Sequence, residues 1–523
     1  MKIRLLLLFL SIASAQVAFA QKRTFWVPGD VPLERTFTLE IERSFGKDSA
    51  VFHTAMKPFT SQSDVVKNAY LMARDTAKYY TTGWRKLLRD HLVEAREDDF
   101  VVSVDPLFNF SFGKDINDFT GYADTVRLFT NTRGMLLQGR IGPKVWFQSG
   151  FYENQTFAPL FIKAFADSTG VMPGAGRTKK YKITGFDYNM SFGSVSYQPW
   201  SFLTLQIGYG KHFIGNGYRS LLLSDAAFSY PYLKATAQWW ENKLQYTAIA
   251  TTFQNMERLP LGEVPESLFK RKGGSFYYLS FHPTQTIEVG LFEGTIRQRV
   301  DSTQVVPLTW DTYVPVIGLS SLVNGLNGTN NVLTGVNARV ELSKHAFMYG
   351  QLACDNLKDL RLGWQVGLQL MDLGVKNLDV TAESNTTSDY FYSDGRGDLQ
   401  SYSHFNQPLG LMAGAGVQEY IGIVHYRYRR WDSQVKFNYY TQAGGPAGTW
   451  WNNPTETIQP LVLWSSRQVQ QWDVATSLCL NPKTNMRLTL GVIDRIDRSA
   501  DHRHTSYVYL AFRTNLHAIY TDF

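Results

Sequence analysis

Apolar and polar side chains alternate strictly in this chain, segment after segment. From Leu360 to Leu370 every second residue is apolar, and those between are polar or glycine. Leu203, Leu205, Ile207 and Tyr209 alternate with Thr204, Gln206, Gly208 and Gly210, and Met486, Leu488, Leu490 and Val492 with Arg487, Thr489 and Gly491. A period of two sends all apolar groups to one sheet face and all polar groups to the other. Repeated over roughly 400 residues, it predicts a closed sheet that is apolar outside and wet inside. The links point the same way. Short turns fall at Gly142-Pro143, Gln198 to Trp200, Glu241-Asn242, His282 to Thr284, Ser343 to His345, Asp372 to Gly374, Arg430 to Asp432 and Asn481 to Lys483. Between them lie mostly long links, 113–124, 155–182, 212–230, 254–272, 297–330, 386–413 and 444–465, with short exceptions near 355–358 and 497–502. Short periplasmic turns alternating with long outer loops are the mark of a transmembrane barrel.

The first twenty residues read as a secretory signal. Lys2 and Arg4 supply its charge, Leu5 to Ile12 its apolar stretch, and Ala18-Phe19-Ala20 a small-x-small cleavage site. That stretch is too short to span a bilayer as a helix, and no later run is long enough. Spanning must then be done by strands, which satisfy their backbone groups by pairing around a ring. Aromatic residues make up 14% of the chain, and interfacial girdles would account for them. The two cysteines, Cys354 and Cys479, are too few for a disulfide framework and read as two isolated buried thiols, with a single bridge as the alternative. The formal charge of +7 falls to +5 once Lys2 and Arg4 leave with the signal. So mild a surplus fits contact with anionic lipopolysaccharide or acidic glycans, and with no basic run an exported chain is a poor nucleic-acid binder.

The expected organisation is therefore a signal peptide over 1–20, an N-terminal periplasmic segment over 21–97, and an all-β outer-membrane barrel over 98–523. Spacings of three to four from Val65 through Ala69, Met72 and Ala73, and again from Trp84 through Leu88, Leu92 and Ala95, predict helix in the segment 61–97, set below or in the barrel mouth. The barrel should have about eighteen antiparallel strands, an even number that returns the C-terminus to the periplasm. Tyr507 to Phe512 and the terminal Phe523 suit a closing strand with an aromatic end. Pro106 lies inside the first strand and, lacking a donor, predicts a bulge.

Candidate chemistry sits in the outer links. In Gly215 to Asp225, two glycines permit angles closed to other residues, Arg219 offers a planar fork and Asp225 a carboxylate. One reading makes Tyr218, Arg219 and Asp225 a glycan or anion site. The plainer one makes the run a constricting loop folded into the lumen around a buried ion pair. Trp450, Trp451 and Asn452, beyond Gly444-Gly445-Pro446, form a candidate sugar-stacking platform or an interfacial tryptophan pair. Tyr390, Tyr392 and Asp394 pose the same choice. His212, Asn216 and Ser220 suggest a hydrolase set, but their order does not place them on one face and no supporting motif appears, so no enzyme is expected. Lumen-facing Arg361, Arg427, Arg429, Lys436 and Arg487 read as a ring favouring anions or as interior charges paired with carboxylates such as Glu288. No metal-ligand spacing stands out, since Asp394 to Asp398 is too short and arginine-rich for a calcium loop, and no cofactor is expected.

Several runs resemble a known family: Asn131-Thr132-Arg133-Gly134, Phe151-Tyr152-Glu153-Asn154-Gln155, Met172 to Arg177, and above all Gly215 to Asp225. Over about residues 125 to 235 the chain is similar to the Wzi-type capsule-assembly proteins, in particular their Bacteroidetes branch with gliding-motility RemB-like members. The resemblance implies an outer-membrane barrel with a helical portion below it and a lectin-like role in holding capsular polysaccharide at the surface. For the Bacteroidetes branch it also implies links to motility and type IX secretion, with protein partners in the envelope. It transfers no set of sugar-binding residues. The expected function is non-catalytic polysaccharide binding or anchoring. A subunit of a motility or secretion complex and a solute channel are the alternatives.

Overall fold

The computed structural model describes residues 29–45, 51–60, 84, 87–258, 269–301, 304–305, 314–318, 330–356, 360–393, 400–443, 466–499, 502–517 and 520–523. Among them are eighteen long strands, β1 to β18 in chain order. The first nine are β1 Phe100–Asp115, β2 Leu128–Ile141, β3 Val145–Phe157, β4 Gly185–Trp200, β5 Leu203–Gly210, β6 Tyr230–Trp239, β7 Leu244–Arg258, β8 Phe269–Thr284 and β9 Ile287–Gln298. The others are β10 Asn331–Ser343, β11 Ala346–Asn356, β12 Arg361–Leu370, β13 Leu378–Thr387, β14 Val417–Tyr428, β15 Trp431–Gln442, β16 Arg467–Asn481, β17 Met486–Asp497 and β18 Arg503–Arg513. Each pairs antiparallel with its neighbours, and β18 returns to β1 from Tyr507↔Asp115 to Arg513↔Asn109, closing the sheet.

On β12 and β13 the expected alternation is present residue by residue. On β12 Leu362, Trp364 and Val366 face outward and are exposed, while Gly363, Gln365, Gly367 and Gln369 are buried inside. On β13 the inward set is wholly polar: Asp379, Thr381, Glu383, Asn385 and Thr387. Leu205, Ile207, Leu488 and Leu490 join a belt of exposed apolar side chains around the wall. This inverts a soluble protein, because the medium outside is hydrocarbon.

Pro106 makes no bulge. Its strand runs in unbroken register against β2, with Pro106 opposite Met135. On the other edge, β18 reaches only Asn109, and a short strand, Val93–Arg96, pairs with Val101 to Val104. The proline sits where one partner gives way to another, where the edge has least need of a donor. Val93–Arg96 also corrects the helical expectation for its C-terminal end, since sheet pairing there overrides the spacing of Leu92 and Ala95. Most of the segment expected to be helical, 61–83, lies outside the described residues, as do the signal segment, Asp394 to Asp398, Trp450, Trp451 and Asn452. Trp84, Leu87 and Leu88 are helical, as expected, whereas the helix α1 over Arg35–Phe45 had no counterpart in the sequence reading.

The described N-terminal segment and the C-terminal tail both turn into the barrel. At the turn end, α1 is tied to the wall by Arg43 to Asp372 (3.7 Å) and Asp379, and Arg427 meets Glu40. Asp30 accepts from Gln206 Nε2 at 2.6 Å and Ser194 Oγ at 3.2 Å. At the other end, the link 158–184 carries α2, Leu160–Thr169, and is partly buried, while the links 211–229 and 400–416 are largely buried. The C-terminal tail supplies a second correction. Phe523 is not part of a closing strand; beyond Arg513 the chain re-enters the lumen, where Phe523 packs beside Phe161 and Phe165.

Candidate functional site in the lumen

The run Gly215 to Asp225 folds inward, as the constricting-loop reading expects, and its backbone is held by inward side chains of the wall. Glu383 on β13 accepts the amides of Tyr218 (2.7 Å) and Arg219 (3.0 Å), and Gln351 on β11 accepts that of Leu221 (2.8 Å). The two glycines serve different ends. Gly215 has φ of +155°, a region that favours glycine, and its amide bonds Ala55. Gly217 is needed for clearance, since a Cβ there would overlap the Glu383 carboxylate and the Tyr349 ring.

Arg219 pairs with Glu419 on β14 at 3.0 Å and with Asp522 of the tail at 3.4 Å, and also donates to the Asp522 carbonyl. It does not pair with Asp225, the carboxylate nearest in sequence, which accepts the Tyr520 hydroxyl at 2.7 Å. Lys436 on β15 bridges Asp522 (3.1 Å) and Asp473 (3.3 Å), and the Tyr218 hydroxyl donates to Asp522 at 2.8 Å. Arg219 lies 5.0 Å from the Tyr218 ring centroid and 5.6 Å from that of Tyr520. Burial opposes the charge on Arg219, but Asp522 and Glu419 outweigh it and hold the guanidinium well above its ordinary value. Asp522 is likewise opposed by burial and held far below the usual carboxylate range by Arg219 and Lys436. Burial wins at Asp225, whose carboxyl is pushed up despite Lys211 nearby. It also wins at Lys211, pulled down to about 8 while its ammonium donates to the carbonyls of Gly174 and Asp225.

Beside this network lies a cavity of about 400 Å³. Tyr218, Asp225, Lys436, Asp473 and Tyr520 line it on one side, and Thr132, Asn154 and Tyr188 on another. Hydroxyls, amides, paired charges and aromatic faces are the groups that hold carbohydrate, with amides and hydroxyls bonding sugar hydroxyls and rings stacking on CH faces. Tyr218 and Asp225 reach it; Arg219 acts behind it.

The other sequence candidates separate. His212 Nδ1 lies 3.3 Å from the Tyr230 hydroxyl, Asn216 donates to Thr54, and the Ser220 hydroxyl donates to the Ile214 carbonyl, so the three assemble no nucleophile. Four of the five cations expected in the lumen are paired rather than arrayed, Arg361 with Asp355 (3.7 Å), Arg487 with Glu34 (3.1 Å), Lys436 with Asp522 and Arg427 with Glu40, whereas Arg429 is exposed in the turn after β14. Tyr392, buried, donates to the Leu221 carbonyl and braces the loop. Sequence reasoning missed Glu383, Glu419 and Asp522. The first two carry a signal, being acids at inward-parity positions; Asp522 carries none, because nothing local says that the tail turns back.

No protein-family model matches the chain, and no curated protein matches it. Among solved structures it is similar to Wzi, an outer-membrane protein involved in group 1 capsule assembly in Escherichia coli and described as a carbohydrate-binding β-barrel. The identity is 13%, with 94% of this chain and 100% of that one covered and a TM-score of 0.57. OpdK of Pseudomonas aeruginosa, solved with vanillate, is 10% identical over 80% of this chain and 98% of its own, TM-score 0.44. OccAB2 of Acinetobacter baumannii is 11% identical over 79% and 97%, TM-score 0.43. The chain is thus an outer-membrane β-barrel resembling Wzi in fold. In barrels of this kind short turns face the periplasm and long loops the exterior.

Proposed function

We propose that this barrel binds a surface polysaccharide at its extracellular side and helps to retain or assemble a surface layer, without catalysis. One observation carries the reading. Met56 and Lys57, from the periplasmic end, pair with Ile214 and Phe213 of an extracellular loop inside the lumen. A segment from each mouth meeting in the middle narrows the lumen, which supports a platform over a pore. The likeness in fold to Wzi, described as carbohydrate-binding, supports the same reading. Trp450, Trp451 and Asn452 are further candidate contacts.

The test is a glycan array probed with detergent-solubilised protein. Acidic or capsular glycans should be retained, and Trp450→Ala with Trp451→Ala should weaken retention. In planar bilayers conductance should be near zero; steady ohmic steps would favour a channel. The narrower likeness to Bacteroidetes gliding-motility proteins rests on the sequence runs alone. A complex subunit would co-purify with envelope proteins and lose them when residues 61–97 are deleted.

A further inference from the structure

At the periplasmic mouth, far from the extracellular loops, three buried side chains converge from two parts of the chain. His53 belongs to the N-terminal segment, His282 to β8 and Glu288 to β9. His53 Nδ1 lies 4.0 Å from Glu288 Oε1, His282 Nε2 lies 3.9 Å from Glu288 Oε2, and the two imidazole centroids are 4.8 Å apart. We propose that His53, His282 and Glu288 bind a divalent transition cation of the zinc type that fastens the N-terminal segment to the barrel wall.

The hydrogen-bond inventory leads to this. His53 Nε2 lies 2.7 Å from the Asn242 carbonyl, which can only accept, so Nε2 carries the proton and Nδ1 a bare lone pair. The donor within reach of Nδ1 is the Ser280 hydroxyl at 2.8 Å, but Ser280 also lies 2.9 Å from Glu288 Oε1. One hydroxyl proton cannot serve both acceptors. Glu288 accepts from the Thr54 amide and hydroxyl as well, which favours its charged form. His282 is 4% exposed, and among the described residues neither ring nitrogen has a hydrogen-bond partner. Burying an imidazole with both nitrogens idle is unfavourable and calls for an explanation. A carboxylate, a bare Nδ1 and an unpartnered imidazole are together short of positive charge, and a cation would supply it. A ligating histidine whose other nitrogen donates to a backbone carbonyl is a common second-layer arrangement in metal sites.

The ligand atoms lie within 4.8 Å of one another. A tetrahedral zinc with ligands at about 2.0–2.1 Å requires ligand separations of about 3.4 Å. Side-chain torsions would therefore draw the three groups together, and water would complete the shell. Imidazole with carboxylate suits zinc-class ions better than magnesium or calcium, which prefer all-oxygen shells. Sequence spacing could not reveal the site, because His53 meets its partners only when the N-terminal segment enters the mouth.

The experiment uses the full mature chain in detergent, stripped with EDTA and checked for barrel integrity by heat-modifiable gel mobility. Titration with zinc chloride should show one equivalent bound, with affinity at least about tenfold weaker in Glu288→Gln and His282→Ala. Cobalt(II) in place of zinc should give tetrahedral ligand-field bands on the wild-type protein, removed by His53→Ala. Zinc binding no stronger in wild type than in His282→Ala, or cobalt spectra of the hexaaqua ion, would overturn the proposal and leave a His282–Glu288 ion pair. Should a variant fail to fold, the wild-type cobalt spectrum decides alone. A metal that binds without changing glycan retention leaves the polysaccharide reading untouched.

Discussion

Replacing Arg219 with alanine removes the cation that joins the inward loop, the wall and the tail. Glu419 and Asp522 would lose their shared guanidinium while remaining fully buried. Taking one partner from a buried pair typically costs 3–5 kcal/mol. The lower end applies here, because Glu419 keeps the amides of Asn385 and Asn438, and Asp522 keeps Lys436 and the Tyr218 hydroxyl. At about 3 kcal/mol the open form of the loop rises about 150-fold. The barrel wall, closed by its own ladder, should not respond. Hydrogen exchange on peptides covering 214–225 and 520–523 reads this directly, because the Arg219, Leu221 and Ser224 amides are bonded only while the loop is docked. Arg219→Lys should fall between, since one ammonium cannot reproduce the fork. Asp225→Asn should change little, as burial already favours the neutral acid and an amide oxygen can still accept from Tyr520. Protection within about threefold of wild type in Arg219→Ala would refute the argument. Acid supplies a second readout. The depressed carboxyl of Asp522 contributes stability that is present above the ordinary aspartate range and is lost as pH falls through the folded value. Without Arg219 that loss should begin closer to the ordinary range.

Lys211 titrates in the other window. Its folded value is about 8, below that of a free lysine, so docking should strengthen as pH rises from about 8 toward about 9.5 and weaken again on acidification. Protection factors corrected for intrinsic exchange should show the trend in wild type and lose it in Lys211→Met. On the lipid face, Leu490→Arg should cost about 2–4 kcal/mol and lower the yield of heat-modifiable barrel in refolding, whereas Thr489→Ser, facing inward, should not. Equal yields would mean that Leu490 does not face hydrocarbon.

The period of two determined the wall. It required no distant information, because in a strand each side chain's face follows from its parity alone and the two solvents differ as strongly as hydrocarbon and water. Strand number, turns, long links and the inward set of β13 were therefore legible. So was the inward loop, because paired glycines with an arginine fork do not suit an exposed strand. Parity stops at strand ends, and there tertiary structure decided. Arg219 meets Glu419 of the wall and Asp522 of a tail some 300 residues away, so Asp225, nearest in sequence, was the wrong partner. Gly217 is required by the position of Glu383 rather than by its own angles. Val93–Arg96 has a helical neighbourhood in sequence yet forms a strand, because the free edge of β1 stands beside it. Pro106 escapes a bulge for the same reason. Alternation specifies a cylinder, but what fills the cylinder depends on segments that meet only once it has closed.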